Sequence, residues 1–350
     1  MDIGLHLQGF YIYGIVPNHY EAEQFRKLSD IGVFNIPFQK ISAIVSKNEI
    51  IDYRQLGTEA LAKLLVDHQT TIERIMNMGF STIIPLRLGT FAQNKTDVIK
   101  ILEKGFDLII DTLQKVSNLV EYDIVTTWAD FGKIITQVAS SSTVLGLKEK
   151  LENSGNAITQ TDQMSMGLLV KSLVDEKNTQ AAGLITAAFN TFCTSIKQHQ
   201  ILNDQMVTNT ALLLNHLQAG LLEKTLDQLD ESLNGELNFK MVGPLPCYSF
   251  YTIEVKELYF DDIEAARKEL GLADTTSEKQ IKQAYLDNAK QFHPDTNSSD
   301  DGSQKFNRIN KAYQVMLDYM QCVKPASREE QFSLTIDKVT DNPSFLKLKE

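Results

Sequence analysis

Between Ile281 and Tyr313 the chain reads IKQAYLDNAKQFHPDTNSSDDGSQKFNRINKAY, and its apolar residues fall into two stripes. Ile281, Ala284, Tyr285, Ala289 and Phe292 recur at spacings of three and four, which lines them along one side of a helix. Pro294 then interrupts the pattern, because proline disfavours helical backbone at the residue before it, here His293. Thr296 to Gly302 is rich in Ser, Asn, Asp and Gly and reads as a loop. The helical spacing resumes at Phe306, Ile309, Ala312, Tyr313 and Met316. Each helix is too short to bury its stripe alone, so the two must pack face to face. The exposed connection then presents His293, Pro294 and Asp295 to a partner.

That hairpin is a small part of a chain of 350 residues, a length that calls for two or three domains. Hydrophobic content of 43% and charged content of 23% belong to a globular protein. The formal net charge of −11 argues against nucleic acid, whose phosphates need a basic surface, and against an anionic lipid membrane. Cys193, Cys247 and Cys322 lie far apart without a C-x-x-C pair, which fits buried thiols in a reducing cytoplasm. Met1-Asp2-Ile3 does not begin a secretory signal, and no apolar run approaches the ~18 residues of a membrane span.

Read in order, Met1–Gly9 is expected to be a mobile leader. Phe10–Val16 (FYIYGIV) is apolar on both faces, as in a central strand. Tyr20–Leu28 reads as a short helix, and Val33–Phe38 and Ile41–Ser46 as strands. A helix is predicted from Thr58 to Met78, with Leu61, Leu64, Leu65, His68, Ile72, Ile75 and Met76 on one side and Gly79 closing it. Phe80–Leu88 reads as a strand containing Pro85, so it needs a bulge or an edge. Thr96 to Asn118 reads as one helix.

A second unit opens with strand Val120–Thr127, followed by helices over Asp130–Glu152 and Thr161–Gln198. Strand Met206–Leu214, helix Ala219–Leu233 and strands Leu237–Val242 and Cys247–Val255 come next. Tyr259–Gly271 is a helix, and Thr275 with Glu278 has capping-box spacing for the helix after it. In the tail, Phe332–Val339 alternates enough for a strand that could pack on either neighbour.

The hairpin resembles the J domain of DnaJ-type co-chaperones. The residues that carry the likeness are Leu270-Gly271, then I-x-x-A-Y from Ile281, A-x-x-x-H-P-D from Ala289, and F-x-x-I-x-x-A-Y from Phe306. The resemblance implies a unit that triggers a DnaK-type chaperone through His293, Pro294 and Asp295, docked by a basic second helix. Lys279, Lys282 and Lys290 keep that charge, but Leu286-Asp287 stands where the family commonly has two basic residues.

A second likeness covers residues 10–256. FYIYGIVP at Phe10, ISAIVS at Ile41, IIPLRLGTF at Ile83, VEYDIV at Val120, MVTNTALLL at Met206 and MVGPLPCYSF at Met241 resemble, in order and spacing, the gas vesicle GvpL/GvpF family. Departures are Leu88 in place of Phe before Gly89-Thr90, Cys247 in place of a proline, and a long helical insert. The resemblance implies no enzymatic activity, no cofactor, and contacts with the shell protein GvpA or other gas vesicle accessory proteins.

The expected fold class is α+β: two α+β domains, 1–118 and 119–256, the second ferredoxin-like in layout with a long helical insert. A small all-α J-like domain follows at 257–324, and a tail of unassigned structure at 325–350. No catalytic constellation, phosphate-binding loop or metal-ligand spacing is present in the sequence. His68 reads as a core histidine. Arg87 reads as a buried arginine holding a carboxylate or turn carbonyls, with partner binding as the alternative. Gly89 supplies backbone freedom after the strand. Arg87, Gly89, Thr90, Gly243 and Pro244 are candidate client contacts, because breaks with proline leave backbone groups for a partner strand. The favoured function is a gas vesicle assembly factor that recruits a DnaK-type chaperone. The alternatives are a general J-domain co-chaperone, and a structural vesicle component whose J unit is vestigial.

Overall fold

The computed structural model describes residues 7–51, 53, 56–154, 157, 159–292, 300–323, 327–335 and 344–348. Its elements form a mixed α+β protein with antiparallel sheets and a helical region after residue 258, in the expected class. Two compact units emerge. One comprises residues 1–68, 86–111 and 253–349, the other 69–85 and 112–252.

In the first unit, strand Gln8–Pro17 lies at the centre, paired antiparallel with Ile41–Glu49 and with the short Phe91–Ala92. Ile41–Glu49 in turn pairs with Phe34–Phe38. Tyr11, Ile12, Ile15 and Val16 are buried, as a strand apolar on both faces requires. The register shifts between Ile12 and Gly14, which leaves Tyr13 bulged. The expected leader is shorter than predicted, since the strand starts at Gln8.

The helix Thr58–Asn77 forms as predicted, but Leu61 and Leu65 are exposed, and the buried line is His68, Ile72 and Ile75. The expected strand Phe80–Leu88 reduces to Ile84–Pro85, because proline cannot donate to a ladder. The bonds around it are single ones: Leu86 N–H to Tyr13 O at 3.0 Å and Arg87 N–H to Ile253 O at 2.9 Å. The predicted helix Thr96–Asn118 is two helices, Lys95–Lys104 and Phe106–Val116. They meet at Gly105, where the Leu346 side chain packs so closely that a Cβ would lie 2.3 Å from it.

The second unit has a four-stranded antiparallel sheet in the order Ser195–Gln198, Met206–Asn215, Leu119–Trp128, Leu237–Leu245. With long helices before Ser195–Gln198 and helix Ala219–Ser232 before the last strand, this is the ferredoxin-like layout. Its first edge strand was expected to be helix. The long helix Gln160–Phe189 ends earlier than predicted, and Ser195–Gln198 pairs with Met206–Asn215. The helical stretch before it is also two helices, Phe131–Ala139 and Ser142–Asn153, broken where the Ser141 hydroxyl caps Val144 N–H at 3.4 Å. Trp128, Ile124, Ile185, Phe189, Leu212 and Leu222 anchor the core.

The predicted strand Cys247–Val255 is instead a turn of helix, Tyr248–Tyr251, and then strand Ile253–Glu257. Ile253–Glu257 pairs antiparallel with Ser344–Leu348 from the tail.

Candidate functional site

Helix Phe260–Leu270 starts the hairpin region and ends at Gly271, whose φ of 70° lies in the left-handed region that favours glycine. Arg267 ties that end down, donating to Leu272 O at 2.8 Å while bridging Glu264. Helix Glu278–Phe292 begins with a capping box two residues beyond the expected one. The Ser277 hydroxyl accepts from Gln280 N–H at 3.4 Å, and the Gln280 side chain accepts from Ser277 N–H at 2.9 Å. Thr275 and Thr276 are not free to cap, because they pair as extended backbone with Ser333 and Phe332.

Against this helix packs Asp300–Val323, and Ile281, Ile309, Ala312 and Met316 meet in one core with Ile263, Ala266 and Leu270. Tyr285 and Tyr313 stack at 4.1 Å, and the Tyr285 hydroxyl donates to Asn310 at 3.1 Å. Near the loop end, the Lys305 ammonium sits 5.9 Å from the Phe292 ring centre and pairs with Glu269 at 2.9 Å. These contacts fix the helix ends from which the HPD segment springs. His293, Pro294 and Asp295 themselves lie outside the described residues.

Lys279, Lys282 and Lys290 are all exposed. At 100° per residue they share a stripe roughly 80° wide, with Leu286 inside it and Asp287 about 60° from Lys290. Leu286 is 41% exposed, so the stripe has an apolar centre. Lys279 pairs with Glu329 of the tail at 2.8 Å.

The tail belongs to this unit to a degree the sequence did not reveal. Phe332 and Leu334 are buried in the hairpin core, and Leu334 N–H donates to Asp274 O at 2.7 Å. Of the strand expected over Phe332–Val339, Phe332–Ser333 forms, and residues 336–339 lie outside the described residues.

Arg87, Gly89 and Thr90 form one turn in the first unit. The Arg87 guanidinium pairs with the largely buried carboxylate of Glu254, as read for it, but Arg87 is not the buried arginine expected: its side chain is 56% exposed and the buried partner is the carboxylate. The Thr90 hydroxyl donates to Arg87 O at 2.6 Å, and Ile12 N–H to Thr90 O at 2.9 Å. Gly89 has φ 84°, and a Cβ there would lie 2.9 Å from the Tyr53 ring. Gly243 and Pro244 fall in the second unit. With Asn118, Val120, His216 and Glu73 they line a cavity of about 620 Å³.

Two clusters escaped the sequence reading. In the second unit, Glu121 is 1% exposed, and its carboxyl accepts Ser249 N–H at 2.8 Å and the Ser249 hydroxyl at 2.7 Å. His199 Nε2 lies 3.2 Å from the same hydroxyl. Burial pushes the Glu121 carboxyl up to about 7, against the pull of the Ser249 bonds. In the first unit, His68 is a core histidine as expected, but its partners were not foreseen: Nδ1 lies 2.7 Å from the Tyr11 hydroxyl, and the ring stacks on Tyr13. Desolvation lowers its pKa to about 4, which keeps it neutral. Burial pushes the Cys247 and Cys193 thiols up to about 12. Among the described residues, no cluster of three or more His, Cys, Asp or Glu could hold a metal ion, and no helix is long and apolar enough to cross a membrane.

Comparison with known proteins assigns both regions. Residues 268–322 match the DnaJ domain. Over 49 residues the chain is 51% identical to chaperone protein DnaJ of Rickettsia prowazekii, covering 14% of this chain and 13% of that protein. Over 254 residues it is 19% identical to gas vesicle protein F of a Nostoc species, covering 70% of this chain and 98% of that protein. The crystal structure of GvpF from Anabaena sp. PCC7120 has the same fold over 69% of this chain and 97% of its own, with a TM-score of 0.58 at 19% identity. That of Microcystis aeruginosa GvpF gives 0.54 at 18% identity, over 69% and 98%. Residues 9–252 match the gas vesicle synthesis protein GvpL/GvpF family, and the chain belongs to that family, with a DnaJ domain following the family region.

Proposed function

We propose that this chain is an assembly factor for gas vesicles that works without catalysis, in the cytoplasm and on the growing vesicle. Its GvpL/GvpF region holds a shell or accessory subunit, with GvpA the first candidate, and its J domain brings a DnaK-type chaperone to that client. The observation that carries the reading is the union of the two family regions in one polypeptide. A shell subunit with large apolar faces is an aggregation hazard before assembly, and a client holder joined to a chaperone recruiter answers that hazard.

The exposed stripe of Lys279, Lys282 and Lys290 around Leu286 supports chaperone docking, since complementary charge speeds encounter and an apolar centre holds it. Client contacts are assigned to the Gly89-Thr90 turn and the Gly243-Pro244 cavity. Arg87 acts there chiefly by fixing the turn through Glu254. Asp287 beside the stripe favours a second reading, a J domain retained for docking alone.

The test has two arms. In the first, purified protein is added to a DnaK-type chaperone and ATP hydrolysis is followed. Stimulation that His293→Gln abolishes supports recruitment, and no stimulation at any concentration refutes it. In the second, a 1–256 chain is co-expressed with each vesicle protein and recovered at low and high salt. An apolar client is expected to stay bound at high salt. If only the full-length chain retains the client, the J domain is the holder.

A further inference from the structure

In the second unit a chain of hydrogen bonds runs from an inner strand of the sheet to its edge. Glu121 lies on the inner strand Leu119–Trp128, Ser249 on the helical turn Tyr248–Tyr251, and His199 directly after the edge strand Ser195–Gln198. His199 N–H donates to Asn209 O at 2.7 Å, which carries the edge pairing one residue further. Lys197 on the same edge donates to Ser249 O at 3.2 Å, so the edge and the turn are clasped together at Ser249. The Ser249 hydroxyl has two neighbours, Glu121 Oε1 at 2.7 Å and His199 Nε2 at 3.2 Å. It has one proton to donate and two lone pairs that accept.

One proton cannot serve both neighbours. Glu121 Oε2 accepts Ser249 N–H at 2.8 Å, so a proton on the carboxyl sits on Oε1 and donates to the Ser249 hydroxyl. The hydroxyl proton is then free for His199 Nε2, which must be the bare nitrogen of its ring. A hydrogen on Nε2 as well would leave the hydroxyl proton with no acceptor. Once Glu121 ionises, the hydroxyl turns its proton to the carboxylate, the stronger acceptor, and shows His199 only a lone pair. Nε2 must then carry a hydrogen. Asp123 follows Glu121 on the same face of the strand, and its charge and that of His199 attract. Lys197 faces Glu121 from the edge and favours the ionised form. Cys247 and Tyr248, on the turn, are pushed up by burial and stay neutral, and Glu73 faces Tyr248. Burial holds the Glu121 proton up to about 7, so the change falls near neutral pH.

We infer that the Ser249 hydroxyl is a two-position switch, donating to His199 while Glu121 is protonated and to Glu121 once it is ionised, so that loss of a buried proton changes a half-exposed histidine. In this step the Glu121 O–H bond breaks and its proton goes to water. His199 Nε2 takes a proton from water and Nδ1 returns one, so a single proton leaves the protein and the ring stays neutral. The edge of the sheet then carries an imidazole whose donor and acceptor nitrogens have changed places, and its tie to Ser249 has reversed direction.

The test uses the full-length chain labelled with nitrogen-15 histidine, and NMR that reads whether His199 Nε2 carries a hydrogen, at about pH 6 and about pH 8.5. The signal is assigned by its loss in His199→Gln. In the wild type Nε2 is expected to be bare at the lower pH and to carry a hydrogen at the higher. Glu121→Gln, whose amide donates to the hydroxyl as the protonated carboxyl does, is expected to keep Nε2 bare at both. Ser249→Ala, which retains the N–H bond to Glu121, is expected to show the hydrogen on Nε2 at both. An Nε2 that is the same at the two pH values in the wild type overturns the inference. So does a reversal that persists in Glu121→Gln, or one that persists in Ser249→Ala and thus needs no hydroxyl. If Ser249→Ala does not fold, the wild type and Glu121→Gln decide the matter between them.

Discussion

Replacing Glu121 with glutamine removes a carboxyl that the fold holds in its protonated form. The residue is 1% exposed on the Leu119–Trp128 strand, and burial raises its pKa from an ordinary 4.5 to about 7. The folded chain keeps this proton until about pH 7, whereas the unfolded chain releases it near 4.5. Stability from this group is therefore fully present below pH 4.5 and is lost as pH rises through 7. At about 1.36 kcal/mol for each pH unit of the interval, the loss is about 3 kcal/mol by pH 8. Glutamine keeps an oxygen for Ser249 N–H, and its amide can donate to the Ser249 hydroxyl, so the local hydrogen bonds survive. Burial also raises Asp123, and its charge adds to the rise at Glu121, so the difference between the two proteins contains this coupling as well as the burial of Glu121 itself.

The assay is urea unfolding of both proteins from pH 4.5 to 8. The fluorescence of Trp128 reports the second unit, since it is the single tryptophan and is buried there. The two proteins should match near pH 4.5, and Glu121→Gln should gain steadily to about 3 kcal/mol at pH 8. A difference that does not change with pH, or a variant weaker than wild type at pH 8, would show that the carboxyl is not held protonated.

Other outcomes are open to measurement. A 256–335 fragment should melt cooperatively by circular dichroism, and a 256–324 fragment should be less stable by about 3–6 kcal/mol, because it lacks Phe332 and Leu334. Equal melting would place those side chains outside the core. Gly243→Ala should cost about 1–3 kcal/mol in urea unfolding, since a Cβ would lie 2.5 Å from the Tyr122 ring. Asp287→Lys should raise the on-rate for a DnaK-type chaperone in stopped flow, and added salt should erase the gain.

Sequence patterns found the elements whose signal is local. The FYIYGIVP strand, the hairpin stripes and the Met206–Asn215 strand carry their own periodicity. Ser195–Gln198 does not: three of its four residues are polar and exposed on a sheet edge, and a single half-buried Ile196 does not separate strand from the helix before it. Without that strand the ferredoxin-like order was legible only as a layout. Gly105 looked like an ordinary helical residue because the side chain that crowds it, Leu346, is far away in sequence. The capping box moved from Thr275 to Ser277 for the same reason, a distant strand having recruited Thr275 and Thr276. Of the candidate contacts, Gly89 and Arg87 showed their local duties in sequence, while the partner of Arg87, Glu254, did not. Glu121 and Asp123 stood in VEYDIV as acids in an apolar strand, a signal that could have marked them.

The pairing of Ile253–Glu257 with Ser344–Leu348 has a mechanical consequence. The chain leaves for the J domain after Glu257 and comes back at Ser344, and these two residues face each other across the ladder, with strands about 5 Å apart. The J domain thus hangs from two anchors at one end of a ribbon. A pull on the intact domain loads both strands in the same direction, so the ladder bonds between them bear little of the force. Unravelling the domain spreads the anchors instead, and opens the ladder pair by pair from Glu257 and Ser344 inward, as a zipper opens from its free end.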